Sequence, residues 1–285
     1  MKAWRDLVTE NPMLGEFYRR TRRFAVSKNN RQNIILAGVG IVVVFLTFAL
    51  IFAQAPYFPG WGIACIKLPL FAFVVPLIVH GAVAGEREKR SWDAICCAPL
   101  TDAQVVAGKF LSAVSVIVVI NLVIFPVELA AWMTQINADK ADDLLRMFRL
   151  DFYTNSIALF LAAVAFLASA RSRRPFNALG GVIGLVAGMV AVSVISMSGD
   201  VRTLGDRFST PLVAVLNPIV HVGAILSQHG TEEWVQATTA GIPFMPEIGA
   251  LAYLALGAGA LIIATKTLHF ADQEVIAAPR APKNA

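Results

Sequence analysis

Long apolar segments dominate the pattern of this chain. A helix needs about 20 mainly apolar residues to cross the hydrocarbon core of a bilayer. Six stretches meet that requirement: Ile34–Phe52, Ile63–Val83, a segment within Val105–Trp132, Phe152–Ala170, Phe176–Met197 and Ile248–Leu268. Backbone polar groups in lipid must be satisfied within the segment, so we expect helices rather than open strands. The pattern predicts an all-α, polytopic membrane protein with six transmembrane helices.

A seventh apolar stretch, Leu212–Leu226, is only 15 residues long and is interrupted by Asn217-Pro218. A run of that length is typical of an interfacial or re-entrant segment rather than a span. We therefore assign it to a long outer segment, residues 199–246, between the fifth and sixth spans.

The composition narrows the class of protein. Hydrophobic residues make up 57% of the chain, charged residues 15%, and the mean hydropathy is +0.66. Soluble domains carry about 45–50% apolar and about 25% charged residues. These values exclude a disordered chain and argue against a soluble enzyme.

The distribution of basic residues predicts the orientation. With the N-terminus inside, eighteen Lys and Arg residues lie on the inner side and six on the outer side. Because basic residues collect in cytoplasmic segments, we expect both termini in the cytoplasm and the chain in the plasma membrane, the inner membrane of a bacterium. The chain then divides into a cytoplasmic segment (1–33), a permease domain (34–270) and a cytoplasmic tail (271–285). Ala53-Gln54-Ala55 is similar to a signal-peptide cleavage site, but the long charged region before it favours an uncleaved anchor.

The first cytoplasmic segment contains a helix-start signal, Asn11-Pro12. Asn suits the cap position and Pro the first helical position. Met13, Phe17 and Phe24 then recur at helical spacing, which indicates an amphipathic helix lying in the headgroup layer against membrane lipid. The alternative is a solvated basic helix that only sets topology. A nucleic-acid partner is not expected, because the basic residues lie at a membrane boundary.

The loop between the second and third spans, residues 84–103, begins with the charge run Glu86–Arg90. Ser91 is a candidate helix cap and Pro99 ends the element. Thr101 and Gln104 have the spacing of a capping box at the start of the third span. The pattern predicts a short amphipathic helix tied to two spans, an element suited to transmitting force from a soluble partner.

This loop resembles the signature of the type 2 permease family of ATP-binding-cassette exporters. That signature is roughly Gly-Glu-Arg-Glu-x-Gly-Thr-x-Glu-x-Leu-x-x-x-Pro-Leu, followed by Gly-Lys at the next span. The identical positions are Gly85, Glu86, Arg87, Glu88, Pro99, Leu100, Gly108 and Lys109. Ser91, Asp93 and Ile95 are conservative replacements, Trp92 is similar to a subset of the family, and Arg90 stands where glycine is frequent. Asn11-Pro12-Met13-Leu14 and Leu216-Asn217-Pro218 are also similar to family segments.

The resemblance implies that two identical or related permeases pair above two cytoplasmic ATPase subunits. Residues 86–100 would hold a coupling helix that docks on the ATPase, and ATP and Mg would bind to that partner, with no cofactor on this chain. The residues implied in coupling are Glu86, Arg87, Glu88, Ser91, Trp92, Asp93, Pro99 and Leu100. The alternative is that these charges only solvate a loop.

The chain carries no catalytic motif of its own. The phosphate-binding pattern Gly-x4-Gly-Lys-Ser/Thr is absent, and Gly108-Lys109 is followed by Phe110 at a membrane entry. The three cysteines and four histidines show no metal-ligand spacing, so we expect neither an enzyme nor a metal site.

Few polar residues lie within the spans. Glu128 is a candidate pathway residue for substrate or protons, although a position near the outer headgroups is favoured by the length of its helix. Asn121 is a second pathway candidate and could bond a neighbouring helix. We expect Lys67 to extend outward to the interface, and Glu247 to act as an interfacial anchor or helix N-terminal acid.

Gly180, Gly184 and Gly188 recur every four residues in the fifth span. Small residues on one face let helices approach closely. The face therefore predicts either a dimer interface or packing within one subunit. The sequence leaves two other functions open: a secondary transporter or channel without an ATPase, and a non-transporting membrane scaffold.

Overall fold

The computed structural model describes residues 11–15, 18–19, 61–92, 95, 97, 100–133, 140–197, 217–218, 221–222, 225 and 245–277. The principal elements in this part of the chain are all helices. They are α1 (Trp61–Val79), α2 (Ala84–Glu88), α3 (Asp102–Met133), α4 (Lys140–Arg171), α5 (Pro175–Met197) and α6 (Met245–Ala277). The predicted first span, Ile34–Phe52, lies outside the described residues, so a count of six stays a prediction.

Five helical segments have the length and hydropathy of membrane spans. They are Ile66–Glu88, Asp102–Leu129, Leu144–Arg171, Pro175–Ser193 and Pro246–Leu268. These segments correspond to the second to sixth spans predicted from the sequence. The multi-pass, all-helical class is therefore confirmed for the described part of the chain.

One boundary differs from the sequence prediction. The fourth span was expected to begin at Phe152, but α4 begins at Lys140. The added segment is charged, so the apolar pattern omitted it. It is also rich in Leu, Lys, Arg, Ala and Met, which are good helix formers, and the helix continues beyond its apolar portion.

α4 is the central helix of the bundle. About two thirds of its most apolar stretch (67%) is buried, against 17–33% for the other four spans. It packs against α6, α1, α5 and α3. Small side chains permit this close packing: Ala158, Ala162 and Ala165 are fully buried, and a Cβ at Gly257 of α6 would lie 3.4 Å from the Phe160 Cα.

The outer surface of the bundle is apolar. Phe73, Leu122, Phe176 and Leu251 are large apolar residues that expose more than half of their surface. Such a surface is expected when the surrounding solvent is lipid. The buried core and the exposed apolar surface are together those expected of a membrane protein.

Candidate coupling and transport sites

Two ends of the bundle carry the polar contacts. The loop end is where α1 turns into α2 and where α3 begins. The far end is where α1 begins and α3 ends. The chain alternates between them, so the C-terminus of α4 lies at the loop end and its first turns lie at the far end.

At the loop end, the start of α2 is hydrogen-bonded to a side chain of α4. The N–H groups of Val83 and Ala84 both donate to the Ser169 Oγ of α4, at 3.0 Å each. These donors lie at the start of α2, where a helix leaves N–H groups without intrahelical partners. Ser169 thus acts as a cap supplied by another helix, a role that no local sequence signal predicts.

The first two residues of the charge run point into the protein. The Glu86 Oε1 lies 2.7 Å from the Lys109 Nζ of α3, and the same ammonium group donates to the Ala82 carbonyl oxygen at 2.8 Å. The Arg87 Nη1 donates to the Ala170 carbonyl oxygen at 2.6 Å, and its guanidinium lies 5.4 Å from the Trp92 ring centroid. Glu86 and Arg87 therefore tie α2 to α3 and to the end of α4.

The following residues face outward. Glu88, Lys89, Arg90 and Ser91 are exposed, whereas Trp92 is buried. Of the other predicted coupling residues, Leu100 is half-buried, and Asp93 and Pro99 lie outside the described residues. The structure thus divides the predicted set into inward-facing anchors and an outward-facing group.

Arg90 ends α2 in a left-handed conformation, with φ of 57°. Its N–H donates to the Arg87 carbonyl oxygen at 3.1 Å, and the Ser91 N–H donates to the Glu86 carbonyl oxygen at 2.9 Å. This is the Schellman pattern, in which the left-handed position is usually glycine. The geometry explains why the family signature frequently has glycine where this chain has Arg90.

The N-terminal motif packs against the start of α3. Asn11 caps its own helical turn, since its Oδ1 accepts from the Met13 N–H at 3.0 Å, as the sequence predicts. Its Nδ2 also donates to the Gln104 carbonyl oxygen at 2.8 Å. A Cβ at Gly108 would lie only 2.6 Å from the Met13 Cβ, so this contact requires glycine. The predicted interfacial placement of this segment stays a prediction, because Phe17 and Phe24 lie outside the described residues.

The predicted capping box at α3 is confirmed. The Thr101 N–H donates to the Gln104 Oε1 at 3.0 Å, and the Gln104 N–H donates to the Thr101 Oγ1 at 3.3 Å. This reciprocal pair satisfies two donors at the helix start. It also fixes the point at which the loop between α2 and α3 ends and α3 begins.

At the far end, three charged side chains from three helices meet. The Lys67 Nζ of α1 lies 2.7 Å from the Glu128 Oε2 of α3 and 2.7 Å from the Asp151 Oδ1 of α4. The side chains of Lys67 and Glu128 are 1% and 0% exposed, and that of Asp151 is 14% exposed. We call Lys67, Glu128 and Asp151 the charge cluster.

The charge cluster corrects one prediction. Lys67 was expected to extend outward, but it is buried between two carboxylates, which satisfy its ammonium group within the protein. Glu128 does lie near the end of its span, yet it faces neighbouring helices rather than headgroups. Asp151 was missed because it precedes the predicted span. Its carboxylate could have been recognised as a partner only once the helix was known to begin earlier.

A second polar contact joins α3 and α4. The Asn121 Nδ2 donates to the Asn155 Oδ1 at 2.6 Å, which confirms that Asn121 bonds a neighbouring helix. The Asn155 Nδ2 in turn donates to the Asp151 carbonyl oxygen at 2.8 Å. Asn121 and Glu128 are seven residues apart, so they share one face of α3. Several polar contacts therefore lie along the interface between α3 and α4.

α4 is also fixed to α6 at the far end. The Arg149 Nε and Nη2 atoms donate to the two Glu247 carboxylate oxygens at 2.5 and 3.1 Å. Glu247 lies in the first turn of α6, where a negative charge is favourable. Its predicted role as a helix N-terminal acid is confirmed.

Part of the predicted re-entrant segment lies inside the bundle. Asn217, His221 and Ile225 are buried, and the His221 ring lies 5.1 Å from the Tyr153 ring. A Cβ at Gly249 would come within 2.6 Å of the His221 Nε2, so glycine is needed there. The described residues of this segment therefore pack on α4 and α6.

The glycine face of α5 lies on the surface. Gly180, Gly184 and Gly188 are exposed, and a Cβ at any of them would meet nothing within 4 Å. Packing of these glycines against another described helix of the same chain is therefore not observed. In the same part of the chain, no three His, Cys, Asp or Glu side chains are arranged to hold a metal ion.

The apolar helices, the buried polar contacts and the apolar surface define a multi-pass membrane protein. The sequence profile of a family described as "ABC-2 family transporter protein" matches residues 15–263. That match covers most of the chain, and the chain belongs to this family. The family resemblance inferred from the loop is thereby confirmed. A comparison with curated proteins found no match.

Proposed function

We propose that this chain is the permease subunit of an ATP-driven exporter and that it couples to separate cytoplasmic ATPase subunits through the loop end. Family membership supports the transport role. The observation that carries the coupling role is the division of the charge run into anchored and exposed residues.

The anchored residues connect α2 and the exposed residues after it rigidly to the spans. Glu86 is paired with α3, while Arg87 contacts the end of α4. A displacement applied to the exposed residues Glu88–Ser91 would therefore pass to two membrane helices. ATP and Mg would bind on the partner, and this chain would supply no catalytic group and hold no cofactor.

The far end would form the opposite gate of the pathway. The charge cluster joins α1, α3 and α4, and the pair Arg149–Glu247 adds α6. These contacts support a closed far end in this conformation. Glu128 and Asn121 would line the pathway once the helices separate, with their polar groups exposed to the substrate.

The exposed glycine face supports a dimer. Two permease copies, identical or related, would pack through Gly180, Gly184 and Gly188 because glycine allows close approach of helix backbones. The first span would contribute to the same interface.

A secondary transporter without an ATPase is the second candidate. The observation that favours it is the charge cluster, since buried ionisable groups in membrane helices mark ion or proton pathways in many transporters. Purification of the tagged, full-length permease from its native membrane separates the two functions. An ATP-binding-cassette ATPase that co-purifies supports the exporter, whereas its consistent absence supports the alternative.

The coupling role is tested by Glu88→Lys in the purified complex. We expect the ATPase activity coupled to the permease to fall several-fold while the permease stays folded, because Glu88 is exposed. Lys266→Glu is the matched control, a charge reversal at another exposed position. Full activity in Glu88→Lys would contradict the coupling role of this residue.

A further inference from the structure

A cavity of about 410 Å³ opens at the loop end. It lies between the end of α1, α2 and the first turns of α3, at the ends of two helical segments with the length and hydropathy of spans. Cavities of about 300–1,000 Å³ are typical of small-ligand sites. This cavity is large enough for a polar headgroup, and none of the contacts described above fills it.

The polar wall of the cavity is basic. Lys89 and Lys109 both line it, together with His80 and Glu86. Glu86 is neutralised by Lys109 at 2.7 Å, and the His80 Nδ1 contacts the Leu77 carbonyl oxygen at 2.9 Å. Lys89 is exposed and has no ion-pair partner among the described residues. The cavity therefore has a positive charge available for an anion.

The other wall is apolar and continues onto the lipid-facing surface. Ile78, Val79 and Ala113 line the cavity, and Ile78 is 46% exposed. Leu77, the neighbour of Ile78, is 55% exposed. A ligand in this cavity would thus have a negative headgroup near Lys89 and an apolar tail along α1.

We propose that this cavity binds the headgroup of an anionic phospholipid, with its phosphate at Lys89 and Lys109 and its acyl chains along Leu77 and Ile78. Basic pockets between membrane helices at the membrane surface are suited to such headgroups. A free phosphate would use the basic wall but leave the apolar wall uncovered. The lipid is therefore the ligand that matches both walls.

Lipid binding would also affect the contacts that hold α2. Lys109 holds Glu86, so a lipid phosphate at Lys109 competes with the contact that ties α2 to α3. Bound lipid would then weaken the connection between α2 and α3 at the loop end. This consequence rests on the proposed function, whereas lipid binding can be measured on the permease alone, without an ATPase.

The test is native mass spectrometry of the purified, full-length permease titrated with phosphatidylglycerol, phosphatidylcholine or glycerol phosphate. We expect selective retention of phosphatidylglycerol, and a loss of about fivefold in its apparent affinity for Lys89→Gln, the contribution of one basic residue at an anionic surface. Arg173→Gln is the matched control, because Arg173 is exposed between α4 and α5 and does not line the cavity.

Gly81→Leu provides a second, independent variant. Gly81 lines the cavity, and a Cβ there would meet nothing within 4 Å, so a larger side chain can start at this position and take up space in the site. We expect a folded permease, as judged by thermal unfolding, that no longer retains phosphatidylglycerol. Equal retention by wild type and both variants, or equal retention of phosphatidylcholine, would overturn the proposal. Equally tight binding of glycerol phosphate would also overturn it in favour of a free-anion site.

Discussion

Arg90 adopts a backbone conformation that is unfavourable for a residue other than glycine. Its φ of 57° places a non-glycine residue in the left-handed region, yet two hydrogen bonds of the helix end depend on this conformation. The backbone requires this geometry, while its exposed side chain stays available at the surface. Arg90 therefore places a positive charge at the loop end, and its left-handed backbone conformation lowers the stability of the folded protein relative to glycine.

We expect Arg90→Gly to stabilise the permease by about 1 kcal/mol, because glycine adopts the left-handed conformation without the Cβ clash. Arg90→Val should destabilise it, since a β-branched residue is poorly tolerated there. Thermal unfolding of the purified protein measures both. Arg173→Gly, at an exposed position without a positive φ, should give no gain. A gain in that control equal to that of Arg90→Gly would contradict the explanation.

Also at the residue scale, the charge cluster leads to a prediction about the stability of the protein. Lys67→Met removes the cation of the charge cluster and leaves its two carboxylates without that partner in a buried site. Removing one partner of a buried ion pair costs about 3–5 kcal/mol. We expect a loss of that order in resistance to unfolding by sodium dodecyl sulfate.

The matched control is the triple variant Lys67→Met, Glu128→Gln, Asp151→Asn, which removes all three charges. Replacing a whole buried ion cluster with neutral groups is frequently tolerated. We therefore expect the triple variant to recover most of the lost stability. A triple variant as unstable as the sum of its single changes would show that the three side chains act independently.

At the scale of elements, the helical turn at residues 11–15 packs against α3 at the loop end. Asn11 and Met13 occupy the space that a Cβ at Gly108 would need. Gly108→Val should displace this contact and cost about 1–3 kcal/mol, as overpacking does. Trypsin should then cleave faster at Arg19, which follows the contact. Gly181→Val is the control, because a Cβ there meets nothing within 4 Å; equal cleavage of the two variants would contradict the contact.

The sequence predicts well those elements that depend on residues close together in the chain. Apolar length predicts the spans, and Thr101 with Gln104 predicts the start of α3. The N-terminal extension of α4 was missed because its residues are charged yet form helix readily. A hydropathy pattern reports the surrounding solvent, whereas helix length also depends on intrinsic propensity.

The candidate site was less predictable because its contacts join distant residues. The motif identified Glu86 and Arg87, but their inward direction depends on Lys109 and on the end of α4. Lys67 was expected to reach the interface because a lone lysine in a span usually does. Only the assembled bundle brings two carboxylates to it.

At the scale of the whole molecule, the exposed glycine face of α5 predicts an interface between two copies. Gly184→Leu should lower the yield of crosslinked dimer in membranes, because the larger side chain separates the helix backbones. Gly259→Leu on α6, where a Cβ also meets nothing within 4 Å, is the matched control. Unchanged dimer yield for Gly184→Leu would assign this face to lipid.

The proposed function requires the exposed part of the loop end to contact a separate ATPase. Site-specific photo-crosslinking in native membranes tests it most directly, with a photoreactive amino acid placed at position 88 or, as a control, at position 145. Both residues are exposed, and they lie at opposite ends of the bundle. We predict that position 88 forms a covalent adduct with an ATP-binding-cassette ATPase, identified by mass spectrometry, and that position 145 does not. An adduct at neither position, or at 145 alone, would contradict the account.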